Sequence, residues 1–412
     1  MVLAVFLVVY AGMFLGELPR LQVDRAGVAL LGAIALLVTG AVPLERAVAH
    51  VDVPTLALLF GMMVLSAQLR MGGVYTALTR RVGALAGDGP TRPDAAGPRL
   101  LGAVVALVGV LAAAFTNDIV ALAVAPVVVA LARERRLDPL PFLLAVACAA
   151  NVGSAATLVG NPQNILVGQA LGLSFAGYLG RALLPASLGL GVVWGVVAFS
   201  WRGRWGAGAW TTADASSADE PPLSRWQAAK GLALAGVAMA AFLLTPWPRE
   251  LVALAAAGVV LTSRRFHSRD MLGLVDWQLL VLFAGLFVVN GALADTGLVA
   301  RGVAALAAHG VDAGHPGWLF ALSVGLSNTV SNVPAVMLLL PVVEGERLGA
   351  LLALSSTLAG NLLVVGSIAN IIVVEQARAC GIEVNWRAHA RVGVPVTLLT
   401  LLLAAAALAL LP

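Results

Sequence analysis

The sequence predicts an all-α integral membrane protein made of two inverted repeats, with about ten transmembrane helices, two re-entrant hairpins and two broken helices. Three observations point there. Apolar runs of membrane-spanning length fill most of the chain, short polar segments interrupt two of those runs in each half, and the halves align with each other block by block.

Composition sets the solvent. Of 412 residues, 60% are hydrophobic and 11% charged, against the roughly one-quarter charged residues of a soluble domain. Mean hydropathy is +0.96, and Lys230 is the one lysine. A net charge of +4, spread over short segments between apolar runs, offers no nucleic-acid surface. Cys148 and Cys380 have neither the number nor the spacing for a disulfide framework or a zinc site. The histidines, His50, His267, His309, His315 and His389, are expected at or near loops. With no H-E-x-x-H or G-x-S-x-G pattern, no enzyme is expected. The N-terminal apolar run lacks a basic flank and a small-residue cleavage site, so it is expected to stay as a span.

A span needs about 20 apolar residues. On that ruler the first half offers spans near 1–17, 26–43, 53–70, 141–170 and 173–200. The stretch 98–137 is apolar, then polar at Thr116-Asn117-Asp118, then apolar again, which fits two short arms turning at a tip. The second half repeats the order with 229–245, 249–262, 276–294, a broken stretch at 316–343, then 347–377 and 391–411. Repeat one is therefore expected over 1–200 and repeat two over 229–412, joined by a polar, turn-rich cytoplasmic linker at 201–228.

Direct alignment carries the repeat. Val51-Asp52, Gly61, Val64, Leu69 and Gly73 match Val275-Asp276, Gly285, Val288, Leu293 and Gly297 at one offset. Thr116-Asn117 and Pro126 match Ser331-Asn332 and Pro341, and Gly160 with Asn164-Ile165 matches Gly366 with Asn370-Ile371. With five spans and one hairpin per repeat, twenty of the 25 basic residues fall on one side; Arg46, Arg181, Arg249, Arg301 and Arg347 fall on the other. The basic side is expected to be cytoplasmic, which places both termini outside the inner (plasma) membrane and inverts one repeat relative to the other.

Polar breaks inside a membrane are tolerated where protein or a water-filled cavity satisfies them. Four occur at matched places: Thr116-Asn117, Ser331-Asn332, Gly160-Asn161-Pro162 through Asn164, and Gly366-Ser367 through Asn370. Asn161 before Pro162, and Asn332 two residues before Pro334, have the pattern of an N-cap followed by a first-turn proline. Half-helices starting there aim N–H groups and a positive dipole end at the midplane, where they bind anions without Lys or Arg. Sodium is the one ion expected as a bound helper, at the Asn117 and Asn332 tips. Asp118, whose repeat partner is Val333, has two open readings, a carboxylate coupling transport to protons or cations and a helix-capping charge. Asp52 and Asp276 are expected as caps, Glu375 as solvated or gating, and Cys148 as packing.

These motifs, Thr-Asn-Asp at 116–118, Val-Gly-Asn-Pro-Gln-Asn-Ile-Leu-Val at 159–167, Ser-Asn-Val-Pro-Ala-Val at 331–336 and Gly-Ser-Ile-Ala-Asn-Ile-Ile-Val at 366–373, resemble the ion transporter superfamily. That group holds citrate-transporter-like permeases, divalent anion/sodium symporters, arsenite permeases and the sodium/proton antiporter D group. The resemblance implies a scaffold, a transport subdomain carrying both hairpins, a homodimer and elevator-type alternating access. In its dicarboxylate branch both tips read Ser-Asn-Thr and hold sodium and substrate carboxylates; by position those contacts transfer to Thr116, Asn117, Ser331 and Asn332. Here the first tip reads Thr-Asn-Asp, closer to the arsenite-permease and antiporter branch. Ser327-Asn328-Thr329 lies one turn before Ser331, leaving two readings of the second tip. The expected function is cation-coupled carriage of a small anion through a lipid bilayer. The alternatives are arsenite/antimonite efflux or sodium/proton exchange and, outside the transporter class, an ion channel.

Overall fold

The computed structural model describes residues 1–16, 22–85, 93–206 and 222–410. Among the described residues the first half holds ten helices: α1 (Val2–Leu15), α2 (Arg25–Val38), α3 (Leu44–His50), α4 (Val53–Met71), α5 (Val74–Leu85), α6 (Pro93–Ala114), α7 (Asn117–Glu134), α8 (Leu140–Ser154), α9 (Pro162–Ala170) and α10 (Phe175–Ser200). The second half runs in the same order: α11 (Arg225–Leu244), α12 (Arg249–Leu261), α13 (Ser268–Leu272), α14 (Trp277–Asp295), α15 (Leu298–Ala308), α16 (Pro316–Val330), α17 (Asn332–Leu339), α18 (Gly345–Ala359), α19 (Ile368–Ala379) and α20 (Trp386–Leu410). Six of them, α4, α6, α10, α11, α14 and α20, are each long and apolar enough to cross a membrane. The chain is an all-α, multi-pass membrane protein.

Local chemistry repeats with the helices. The Asp52 side chain accepts from Thr55 N at 3.0 Å to cap α4, and Asp276 accepts from Leu279 N at 2.9 Å to cap α14. Both helices lead into a glycine with positive φ, Gly73 at 72° and Gly297 at 70°, a backbone that an L side chain resists. The turn redirects the chain into α5 and α15.

Helices α1–α4 pack with α11–α14, and α6–α10 pack with α16–α20, making two groups. The first group is held crosswise: α4 lies on α12 and α14 on α2. A Cβ built on Gly61 would stand 2.7 Å from the Ala253 carbonyl carbon, and one on Gly285 2.7 Å from that of Ala29. Glycine at these two matched positions lets backbones touch, the packing that drives helix association in lipid. The second group contains both helix pairs that turn at tips, α6–α7 at Phe115-Thr116 and α16–α17 at Ser331, and both interrupted helices, α8–α9 and α18–α19.

Some expectations change. The arms α3, α5, α13 and α15 add to the expected spans, because their short amphipathic or polar patterns fall below a spanning-length ruler. The first hairpin arm, α6, is 22 residues rather than short; it starts at Pro93 and carries Pro98 inside, its extra turns lying ahead of the apolar stretch. Helix α20 begins at Trp386, before the apolar run, so His389 sits inside a helix and is buried rather than at a loop. The expected linker includes 207–221, outside the described residues. Its start folds back: Trp205 is buried against Gly97 and Phe142, and Asp138 N donates to Trp205 O at 3.0 Å.

Candidate functional site

Tips and breaks meet inside the second group. Thr116 ends the first tip in extended backbone and α7 starts at Asn117. Asn117 N donates to Gly160 O at 2.9 Å, fixing the first tip to the first break. Asn332, with its amide oriented to suit its neighbours, donates to Gly366 O at 3.2 Å and Ser356 O at 3.0 Å, fixing the second tip to the second break. Each tip asparagine thus holds the glycine carbonyl of its own half. Gly160 has no room for a side chain, since a Cβ there would lie 2.3 Å from Ser154 O.

Asn164 and Asn370 stand as counterparts. Asn164 Nδ2 donates to Thr157 O at 2.9 Å and Ser154 O at 3.4 Å; Asn370 Nδ2 donates to Leu363 O at 3.2 Å and Gly360 O at 2.8 Å. Each satisfies carbonyls that an unwound helix end leaves open. Asn161 is the N-cap of α9, accepting from Asn164 N at 2.9 Å ahead of Pro162 at the first helical position.

Two residues tie the halves together, and the sequence reading did not single them out. Asn151 on α8 accepts from Asn117 Nδ2 at 3.0 Å and Ser367 Oγ at 2.8 Å, and donates to Asn361 Oδ1 at 2.8 Å and Asn370 Oδ1 at 3.1 Å. Thr357 on α18 accepts from Asn161 Nδ2 at 3.2 Å and Gln163 Nε2 at 3.1 Å, and donates to Asn164 Oδ1 at 3.1 Å. Asn151 and Thr357 are related by the offset that links Gly160 to Gly366, so the helix of each half serves the break of the other. His389 joins this knot, its Nε2 lying 3.1 Å from Asn361 O.

Several polar atoms there remain buried with no hydrogen-bond partner: Thr116 Oγ1, Asn117 Oδ1, Ser327 Oγ, Asn328 Oδ1 and Asn361 Nδ2. Asp118 is buried at the second position of α7, with Asp276 of the other helix group as an electrostatic neighbour. Two assignments change. Ser331, not Asn332, precedes α17, because the turn is made at Ser331 with φ 77° and ψ 163°. That backbone is one glycine adopts readily and serine does not. Thr329 does not reach the site. Two residues from Ser327, it lies on the opposite face of α16 and donates to its own helix at Gly325 O and Leu326 O. Ser327 and Asn328 stay close, with Asn328 Nδ2 donating to Ala359 O at 3.1 Å. Asp52 and Asp276 cap helices, Glu375 is exposed, and Cys148 is buried in α8.

Comparison with known proteins gives a consistent result. Residues 5–346 match the family model described as citrate transporter. An uncharacterized transporter of Mycobacterium tuberculosis is 32% identical over 383 residues, covering 87% of this chain and 86% of that protein. A silicon efflux transporter of Oryza sativa is 30% identical over 456 residues, covering 93% and 92%. Among solved structures, the YdaH transporter of Alcanivorax borkumensis superposes with a TM-score of 0.60 at 16% identity, over 99% of this chain and 95% of that one; that likeness is one of fold.

Proposed function

The chain belongs to the citrate transporter family, and from that premise we propose a secondary transporter that carries a small anion, coupled to sodium or protons, by elevator movement. The moving part is α6–α10 with α16–α20, and the scaffold is α1–α4 with α11–α14. One observation carries the reading: two tips and two breaks share a single buried hydrogen-bonded knot in which α7, α17 and α19 start without a side-chain cap. Such starts present N–H groups and a positive dipole end to an anion. The unpartnered oxygens of Thr116, Asn117, Ser327 and Asn328 suit sodium, a hard cation taken by oxygen donors. Asp118 is the carboxylate placed to couple a proton or cation to the cargo.

On this reading the basic side is cytoplasmic. The α6–α7 hairpin enters from the cytoplasm, α16–α17 enters from outside, and two copies associate through their scaffolds.

A second reading has an observation of its own. The orphan side-chain groups at the tips are acceptors or hydroxyls, and these also suit an uncharged hydroxylated solute, with proton exchange through Asp118. The rice relative named for silicon efflux favours that chemistry. Thermal stability of the detergent-purified protein separates the two, measured against sulfate, phosphate, citrate, succinate, arsenite and silicic acid, each with and without sodium and at two pH values. Ligands that bind the folded state stabilise it by mass action. A shift with one anion that needs sodium or low pH supports the first reading, a shift with arsenite or silicic acid supports the second, and no shift with any solute refutes both.

A further inference from the structure

The two ends of the site-bearing group meet the other group differently. On one side, the C-terminal end of α9 is fastened to the start of α12. Arg249 Nη2 donates to Gly168 O at 2.9 Å and Gln169 Nε2 donates to Glu250 Oε2 at 3.1 Å, while α9 packs along α4. On the other side, α19 stands off from α14 and the start of α2 across a cavity of about 470 Å³, whose wall includes Arg25, Asp276, Leu282, Val365, Ile368 and Ile371.

The sequence makes these two sides counterparts. Arg25-Ala-Gly-Val-Ala-Leu at the start of α2 recurs as Arg249-Glu-Leu-Val-Ala-Leu at the start of α12, at the offset that relates Asp52 to Asp276. Asn164-Ile-Leu-Val-Gly-Gln on α9 recurs as Asn370-Ile-Ile-Val-Val-Glu on α19, at the offset that relates Gly160 to Gly366. The counterpart of the fastened contact is therefore Arg25 against Val374 and Glu375. Among the described residues neither charge is engaged. Arg25 Nε is buried without a hydrogen-bond partner, Arg25 makes no ion pair among the described residues, and Glu375 is exposed on α19. Asp24 is already used, its side chain accepting from Gly27 N at 2.8 Å to cap α2.

We propose that Arg25 and Glu375 form the ion pair that latches the second conformation of the transport cycle, in which α19 closes onto α2 and α14 while α9 releases α12. The proposal rests on the elevator reading above. Arg25 now shares the cavity with Ile368 and Ile371, and bringing it level with Val374 and Glu375 slides α19 by about 5–10 Å at 1.5 Å per residue. A pair at the mouth of a wet cavity is screened, so its weight on the equilibrium is at most about fivefold.

The test uses the full chain in membrane vesicles with Cys148 and Cys380 replaced, and it needs no cargo. Ile371→Cys in the cavity wall reports the described conformation by its labelling with a membrane-impermeant maleimide. Gln169→Cys with Glu250→Cys, joined by a short bifunctional thiol reagent, locks that conformation and is expected to drive Ile371→Cys labelling to completion. Arg25→Cys with Glu375→Cys is expected to cross-link in unlocked protein and to fail once the first pair is locked. Arg25→Glu is expected to raise Ile371→Cys labelling by up to fivefold, and adding Glu375→Arg to restore it. If labelling responds to the lock but residues 25 and 375 never cross-link and charge reversal has no effect, the groups move and this latch is wrong. If labelling ignores the lock, the elevator reading falls, and the latch with it.

Discussion

Asn151 is the residue whose loss the site should feel most. Asn151→Ala removes four hydrogen bonds of 2.8–3.1 Å, to Asn117, Ser367, Asn361 and Asn370. At the roughly 0.6 kcal/mol typical of such bonds inside membrane proteins, the loss comes to about 2 kcal/mol. Partners left buried without water raise it toward about 4 kcal/mol. Asn151→Asp keeps an acceptor oxygen for Asn117 and Ser367 but turns a carboxyl oxygen on the Asn361 and Asn370 oxygens in a buried site, so it should cost at least as much as Asn151→Ala. Thr357→Val removes the matching three bonds on the other side and is expected to cost about 2 kcal/mol. Cys148→Ala, buried one turn earlier on α8, is the control for truncating this helix. Reversible unfolding in mixed micelles, followed by tryptophan fluorescence, measures all four. If Asn151→Ala were no more destabilising than Cys148→Ala, Asn151 would not be the tie between the halves.

Three further outcomes are expected. Asp118→Asn should flatten the pH or sodium dependence of transport while ligand-induced thermal stabilisation persists; loss of that stabilisation would make Asp118 a binding group. Gly61→Ala and Gly285→Ala should each lower unfolding stability by about 2 kcal/mol, and by similar amounts, because each Cβ meets the backbone of a facing helix at 2.7 Å; a large cost at one site alone would contradict the crosswise packing. Ser331→Gly should raise thermal stability by about 1 kcal/mol by relieving the positive φ of that turn, and a loss of stability would show that the serine hydroxyl holds the tip.

The sequence exposes the parts of this site that interrupt the backbone. Thr116-Asn117, Asn161-Pro162, Ser331-Asn332 and Gly366-Ser367 stand out because Gly, Pro and clustered polar residues break an apolar run. Asn151 and Thr357 break nothing. Each lies inside a continuous helix, Thr357 at the end of a Ser355-Ser356-Thr357 run, and because one is asparagine and the other threonine, a search for identical residues passes over them. The signal is there in another form, since both are polar at one shared offset in mostly apolar helices. The cap of α17 falls at Ser331 rather than Asn332 because the turn depends on the backbone angle of Ser331, which composition does not reveal. Thr329 completes a Ser-Asn-Thr motif at 327–329, but the tip is made at Ser331 and helical geometry turns Thr329 away from Ser327. His389 lies in a helix and not at a loop because α20 begins ahead of the apolar stretch that marks it.

The crosswise wiring of Asn151 and Thr357 bears on where such a chain comes from. A half-length polypeptide carries a broken helix whose polar atoms are satisfied in part by the other half, so each half alone leaves buried hydrogen bonds unmade. Before the two were fused, a single short ancestor would have had to insert in both orientations and pair antiparallel with a second copy of itself. The asparagine-for-threonine difference would then be a mark of specialisation acquired after fusion, once each half had only one partner to meet.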